Sequence, residues 1–399
     1  YIVNTYSGSS INKAQVLLVA PDKNTRVEIT PSVDLFSGKK ANKTYYVDML
    51  EGGTYQFKAK NTESLNGTIV KVVDGCQKLI VYSGNECSNV TTDPACSGCD
   101  QLLTQLVPTS LLKKRYLILP FKNTTAGNYY ECSSPVDNNK IYINGALVTT
   151  LNNGEVYKLN EGVQKTSIIT SDHGLQVMQY MKSASCLGHI DGKGDPSLLG
   201  LSGFDFNTKQ VAIKAPHNTN VRTHWVAVVT KGANSSRFLL DDVALGASNF
   251  TPITAGSPFS VAYISVDDDI HLMESDSGFY AIGYGYGSNE SYAYSITKEF
   301  EDASYSFDLD IPNLCIGLKP INFRIKGDSA INAYWDFGLK KDSGLSVSYL
   351  PNRDSLKHKI TVVIKNNNSS CPLDTIEREY TLLKAPEIDL GPSDTTICI

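Results

Sequence analysis

Two acidic clusters, a Cys-x-x-Cys pair and a glycine-tyrosine tract are where residue type and spacing in this 399-residue sequence suggest chemistry. Asp191-Gly-Lys-Gly-Asp195 and Asp267-Asp268-Asp269 gather hard oxygen donors on turn-rich sequence, which calcium favours. Neither follows D-x-[DN]-x-[DN]-G with a distal Glu, so each also reads as a solvated acidic loop. Calcium at Asp191, Asp195, Asp267, Asp268 and Asp269 is the one metal expectation. Cys96-Ser-Gly-Cys99 has the spacing of a redox or metal pair. No second Cys-x-x-Cys completes a zinc site, and a structural reading, with one of the pair closing a short loop back to Cys87, fits an oxidising compartment better.

The six histidines, His173, His189, His217, His224, His271 and His358, sit in no G-x-S-x-G or H-E-x-x-H setting. The tract AIGYGYGSNESYAYS at 281–295 spaces its glycines G-x-G-x-G, where a dinucleotide loop needs G-x-G-x-x-G ahead of a helix. These absences favour binding over catalysis. A carbohydrate-active enzyme stays as the lesser alternative, requiring two carboxylates that face one cleft.

A formal net charge of −5 with scattered Lys and Arg argues against nucleic acid or an anionic membrane as partner. The longest apolar runs, such as VLLVA at 16–20, are far too short to span a bilayer, so no membrane insertion is expected. Nine cysteines between strand-like runs suit a secreted chain. The start at Tyr1, within strand-like sequence, suggests a processed or excised piece.

The elements that must position these residues are strands. Short runs rich in Val, Ile, Tyr and Thr recur between Asn, Asp, Gly and Ser. CDQLLTQLVPTSLL, stopped by Pro108, is the one helix expected. Self-similarity organises the strands: DGCQKLIVY, DHGLQVMQY and DSGFYAIGY align without gaps from Asp74, Asp172 and Asp276, 98 and then 104 residues apart. Upstream of them, Leu50-Gly53-Tyr55, Leu151-Gly154-Tyr157 and Ile253-Gly256-Phe259 repeat, as do RVEI, KIYI and RFLL. The tract at 281–295 is therefore a strand, a turn and a return strand. Tyr280, Ile282, Tyr284 and Tyr286 line one face; Ala281, Gly283, Gly285 and Gly287 line the other, leaving room for another layer or marking bends. Twenty-two tyrosines suit either recognition surfaces or β-sheet preference alone.

LLVAPDKNTRVEI, LEGGTYQF, SLNGTIV, VYSGNECS, CDQLLTQLVP, MQYMKSASCLG, GDPSLLGL and YGYGSNESYAYS, in this order, resemble the N-terminal domain of IgGFc-binding proteins over about residues 1–300. The resemblance implies a secreted, β-rich, non-enzymatic module. NLCIGLKPINFRIKG, AYWDFG and HKITVVIKNNNSSC resemble a PKD-like or immunoglobulin-like domain. APEIDLGPSDTTICI looks like the start of another, as in arrays on Bacteroidota surface proteins exported by type IX secretion. In that frame Cys315 and Cys371 form a disulfide whose 56-residue loop contributes about 4 kcal/mol by the chain-entropy argument. The partner of Cys398 then lies beyond residue 399. Cys76, Cys87, Cys96, Cys99, Cys132 and Cys186 are expected in disulfides, of fifteen possible connectivities.

The fold expected is mainly β: three tandem sandwich-like units of about one hundred residues (about 1–100, 101–205 and 206–300) forming one module. An immunoglobulin-like sandwich at 306–384 and the start of a further repeat at 385–399 follow. The function expected is adhesion or ligand binding at a cell surface, with a protein or glycan ligand and with further domains of the parent chain as partners. The alternative is a spacer without a ligand. Function is expected on the least repetitive loops, GDPSLLGL and Asn89 to Asp100.

Overall fold

The computed structural model describes the chain apart from residues 8–12, 74–76, 92–95, 126, 164–165, 205, 207, 217–219, 233–236, 255, 298–305, 311–319, 327–330, 353–356, 367–371 and 383–399. It divides into two compact units, Tyr1–Phe300 and Glu301–Ile399. Among the described residues no helix is long and apolar enough to cross a membrane.

The larger unit repeats one two-sheet antiparallel sandwich three times. In the first, β1 (Ala14–Val19), β2 (Thr25–Thr30), β3 (Tyr45–Met49), β4 (Thr54–Lys58), β5 (Ile69–Val72), β6 (Ile80–Ser88) and β7 (Asp100–Gln105) form sheets β4-β1-β6-β7 and β3-β2-β5. A bridge between Ile2 and Ile69 adds the first residues of the chain to the second sheet. The second sandwich comprises β8 (Arg115–Ile118), β9 (Asn128–Ser133), β10 (Asn139–Ile143), β11 (Ala146–Leu151), β12 (Val156–Val163), β13 (Ser167–Ser171), β14 (Gln176–Met181) and β15 (Ser197–Gly200). Its sheets are β12-β9-β14-β15 and β11-β10-β13-β8. The third comprises β16 (Gln210–Lys214), β17 (Val221–Lys231), β18 (Phe238–Leu240), β19 (Val243–Ala244), β20 (Thr251–Pro252), β21 (Phe259–Val266), β22 (Ile270–Ser275), β23 (Tyr280–Gly287) and β24 (Glu290–Ser295). Its sheets are β20-β21-β17-β23-β24 and β16-β22-β18-β19.

Counted from the start of each repeat, the strand order is the same. RVEI and KIYI fall on β2 and β10 and the FLL of RFLL on β18, while Tyr82, Tyr180 and Tyr284 fall on β6, β14 and β23. Period-two alternation supplies the sandwich interiors, as in β2, where Val27 and Ile29 are buried between exposed or half-exposed neighbours. The three sandwiches also share cores. Tyr129, Met178, Tyr180 and Leu198 of the second pack into the core of the first, and Ala227, Val229 and the Tyr280 to Tyr286 face of the third pack into the core of the second. Every residue of β14 and of β23 is accordingly buried, as expected of strands covered on both faces.

The glycine-tyrosine tract shows how. Tyr280, Ile282, Tyr284 and Tyr286 face the second sandwich, and the glycines of the opposite face admit side chains of the paired strand, where the sequence suggested another layer. Gly285 lies opposite Tyr292 and Gly283 opposite Tyr294 in the β23–β24 register. A Cβ on Gly285 would stand 2.4 Å from Tyr292 Cε1, and one on Gly283 2.9 Å from Tyr294 Cζ. The two rings therefore lie across the neighbouring strand, shielding backbone that glycine leaves bare.

Two expectations change. DQLLTQ forms strand β7, because pairing with β6 buries Leu102 and Leu106 on one side and leaves Leu103 exposed; within the expected helix only Thr109–Leu111 is helical, as one 3₁₀ turn. The tyrosines serve cores more than surfaces. Tyr6, Tyr116, Tyr129, Tyr130, Tyr180, Tyr280, Tyr284 and Tyr286 are all buried, and among described tyrosines only Tyr46 and Tyr334 are strongly exposed.

In the smaller unit, β25 (Ser306–Asp310), β26 (Ile321–Lys326), β27 (Ile331–Asp336), β28 (Lys341–Ser343), β29 (Ser346–Tyr349), β30 (Lys357–Asn366) and β31 (Pro372–Thr381) form sheets β25-β26-β29 and β28-β27-β30-β31. Trp335 is buried between them, with Nε1 donating to Gly344 O at 2.8 Å. Cys315, Cys371 and Cys398, and the disulfide expected of the first two, lie outside the described residues, as does Cys76.

Candidate functional site

The last strand of each sandwich, β7, β15 and β24, is an edge strand, and the three edges meet. Unpaired edges are exposed to association unless covered; here they cover one another through side chains. Gly200 N donates to Thr104 Oγ1 at 3.3 Å, Asp195 N to Ser291 Oγ at 2.8 Å, and Ser202 Oγ lies 2.8 Å from Ser295 Oγ. Toward their C-terminal ends the strands part around a cavity of about 330 Å³. Tyr82, Leu103, Leu198 and Tyr294 give it apolar wall, while Thr104, Gln105, Ser202 and Ser295 give it hydroxyl and amide groups. Its lining is as much polar as apolar, and placed polar groups are what orient a ligand in a recognition pocket.

At the opposite end of the same strands two disulfides hold the loops. Cys87–Cys99 closes 12 residues, and Cys96–Cys186 ties the first sandwich to the second across 90. Around the latter, Ser97 N donates to Ser185 Oγ at 2.7 Å and Ser183 N to Val90 O at 2.9 Å. Ser183 Oγ donates to Asn89 Oδ1. The loop between Asn89 and Asp100 and the segment leading into GDPSLLGL thus come together. Cys132, expected in a disulfide, is instead a free thiol. It sits on β9, flanked in register by Tyr157 and Val177, and faces the core of the second sandwich. Burial pushes its thiol pKa up to about 12, with the Glu131 charge adding to the effect.

The acidic clusters do not assemble as the sequence suggested. Asp191 is exposed, 3.8 Å from Lys193. Asp195 is buried at 6% exposure, with Oδ1 lacking a hydrogen-bond partner. Burial, then the charges of Asp100 and Glu290, push its carboxyl up to about 6. Asp267, Asp268 and Asp269 lie exposed on the turn between β21 and β22. Asp267 Oδ1 is 2.9 Å from His271 Nε2, and Asp241 Oδ2 is 2.7 Å from His271 Nδ1. Burial alone lowers the pKa of His271, but the two carboxylates outweigh it and hold the imidazole above its ordinary value. Among the described residues no three His, Cys, Asp or Glu side chains converge as a metal ion requires.

Sequence reasoning missed Glu131, buried on β9 where the first and second sandwiches meet. It accepts from Ser7 N at 3.1 Å and Tyr129 OH at 2.8 Å, and the rings of Tyr6, Tyr129 and Tyr180 surround it. Burial raises its pKa against these hydrogen bonds. Asp100 and Glu290 were missed too, although each heads the last strand of its repeat, in DQLLTQ and ESYAYS.

No curated protein matches this sequence. Among solved structures, the chain is similar to the N-terminal four immunoglobulin domains of Dscam1 isoform 4.4, at 10% identity and a TM-score of 0.17, covering 96% of this chain and 98% of that one. It is also similar to the N-terminal eight immunoglobulin domains of Down Syndrome Cell Adhesion Molecule isoform 1.30.30, at 10% identity and a TM-score of 0.19, covering 95% and 67%. The family model described as IgGFc binding protein matches residues 1–285, the span of the three sandwiches up to β23. By that match the chain belongs to the IgGFc binding protein family.

Proposed function

We propose that residues 1–300 are a non-catalytic, extracellular binding module that holds a protein ligand at a cell surface, through the junction of β7, β15 and β24. The observation that carries this reading is the junction itself: each repeat contributes an edge strand, disulfides fix the loops at one end, and a cavity of about 330 Å³ opens at the other. A scaffold of shared cores holding irregular loops is how recognition surfaces are made rigid. The disulfides and the family fit an extracellular setting. In the fuller reading the module belongs to a large bacterial surface protein exported by type IX secretion and serving attachment or gliding, and residues 306–384 are a PKD-like stalk domain. Calcium belongs to this reading as a ligand of the exposed Asp267 to Asp269 turn between β21 and β22.

The test is binding of the purified chain to a panel of glycans, mucins, antibody Fc and whole bacterial surfaces, with and without calcium. Saturable binding to a protein, weakened by enlarging the cavity wall with Thr104→Trp, is the expected result. Binding confined to glycans overturns the choice of ligand. Silence across the panel favours a spacer.

A further inference from the structure

The end of the junction opposite the cavity carries one carboxylate from each sandwich. Asp100 opens β7, Glu290 opens β24, and Asp195 stands two residues ahead of β15. Geometry brings them together. Asp195 N donates to Ser291 Oγ at 2.8 Å, the residue after Glu290. Asp195 Oδ1 lies 3.0 Å from where a Cβ on Gly98 would stand, two residues before Asp100. Gly194 N donates to Gly287 O at 2.9 Å, a second tie between the second and third sandwiches.

Nothing within the described residues neutralises this group. Asp100 and Glu290 are half-buried and none of the three is in an ion pair. Asp195 is the deepest, at 6% exposure, with Oδ1 unpartnered. Like charges gathered without a counter-ion disfavour one another, and a buried carboxylate oxygen without a donor forgoes its desolvation compensation. A cation arriving at the mouth removes both penalties.

We propose that this three-carboxylate mouth receives the basic side chain, arginine or lysine, of the module's protein ligand; the proposal rests on the reading of residues 1–300 as a protein-binding module. A side chain suits the mouth better than a bare metal ion, because the carboxylates do not converge on one point. A guanidinium instead spreads five N–H donors over a planar fork and can address separated oxygens. Two half-buried carboxylates at the rim attract and orient it, while Asp195, buried beneath them beside the Ala184 N–H and with Oδ1 unpartnered, adds its charge to theirs.

The experiment uses the 399-residue chain and fluorescence anisotropy of a dye-labelled hexa-arginine peptide, with hexaglutamine as the neutral control. Saturable, salt-sensitive binding of hexa-arginine is expected, weakened about tenfold in Asp100→Asn/Glu290→Gln. It should be unchanged in Glu377→Gln/Glu379→Gln, two exposed carboxylates on β31. Thermal melts establish that the variants are folded. Equal affinity of the Asp100→Asn/Glu290→Gln variant and the native chain overturns the proposal, as does equal binding of hexaglutamine. If a panel protein binds the native chain and this variant alike, the mouth is refuted while the binding module stands. If the panel is silent but hexa-arginine binds at the mouth, the cation site is supported while the module reading falls.

Discussion

Phe121 and Tyr284 meet edge to face with ring centroids 4.9 Å apart, and Lys122 N, the next amide along, donates to the Tyr284 hydroxyl at 3.0 Å. One side chain from the third sandwich thus makes both an apolar and a polar tie to the second. Tyr284→Phe removes only the hydroxyl and should cost about 1 kcal/mol. Tyr284→Ala empties a fully buried site and should cost about 3–5 kcal/mol. Urea unfolding followed by circular dichroism measures both; an alanine variant within 1 kcal/mol of native would mean that the contact does not hold the sandwiches together.

Gly285 tests the ring-over-glycine arrangement. A side chain there meets Tyr292 Cε1 and, at 2.9 Å, Thr223 O, which is backbone and cannot yield. Gly285→Val is expected to lose roughly 1–3 kcal/mol. Adding Tyr292→Ala should recover part of that loss, and a double-mutant cycle reads the coupling. Full additivity would show that ring and glycine are independent.

His271 gives a pH dependence with a defined sign. Its folded pKa is raised by Asp241 and Asp267, so its contribution to stability is fully present below about pH 6.5, the unfolded value, and is lost as pH rises through the higher folded value. Melting temperature should fall between pH 6 and 8, and His271→Gln should flatten that slope. A slope unchanged in the variant would place the titrating group elsewhere.

Asp195 has the same sign in a more acidic window. Its carboxyl is pushed up to about 6, so it contributes fully below its unfolded pKa and loses that contribution as pH rises toward 6. Asp195→Asn should therefore stabilise the chain at pH 7.5, by about 1–3 kcal/mol, and make no difference near pH 3.5. Paired denaturation curves at the two pH values decide it.

The disulfides differ in loop size and should differ in effect. By the chain-entropy argument, Cys96→Ser/Cys186→Ser, opening a 90-residue loop, costs about 4–5 kcal/mol, and Cys87→Ser/Cys99→Ser, opening 12, about 3 kcal/mol. Chemical denaturation ranks them. A reversed order would mean that the short loop, next to Asp100, is the one that fixes the junction.

Much of this architecture was readable because it is repeated. The Asp-to-Tyr spacing, Gly154 and Gly256 with their positive φ, and the KIYI-type strands recur, since each sandwich needs the same turn and the same central strand. The strand nature of DQLLTQ was hidden, because Leu102, Leu103 and Leu106 also satisfy helical spacing and only pairing with β6 decides between the two. The partner of Cys96 was beyond reach, since the cysteine at 186 becomes its neighbour only when two sandwiches share a core. The acidic mouth could have been found: aligned on the repeats, Asp100, Asp195 and Glu290 each stand at or just before the head of the last strand, a coincidence visible only when the three units are read against one another.

The bond between Cys96 and Cys186 also sets how the chain behaves under pulling force. A load applied along the polypeptide reaches Cys96 and crosses directly to Cys186, so β7 to β14 lie off the force path. Unfolding them by tension releases no slack: about 300 Å of contour, roughly 90 residues at some 3.4 Å each, stays locked until the sulfur bond is reduced. Tethered in flow, the protein would stretch before Cys96 and after Cys186, drawing on β15 but leaving β7, the first repeat's edge at the junction, unloaded.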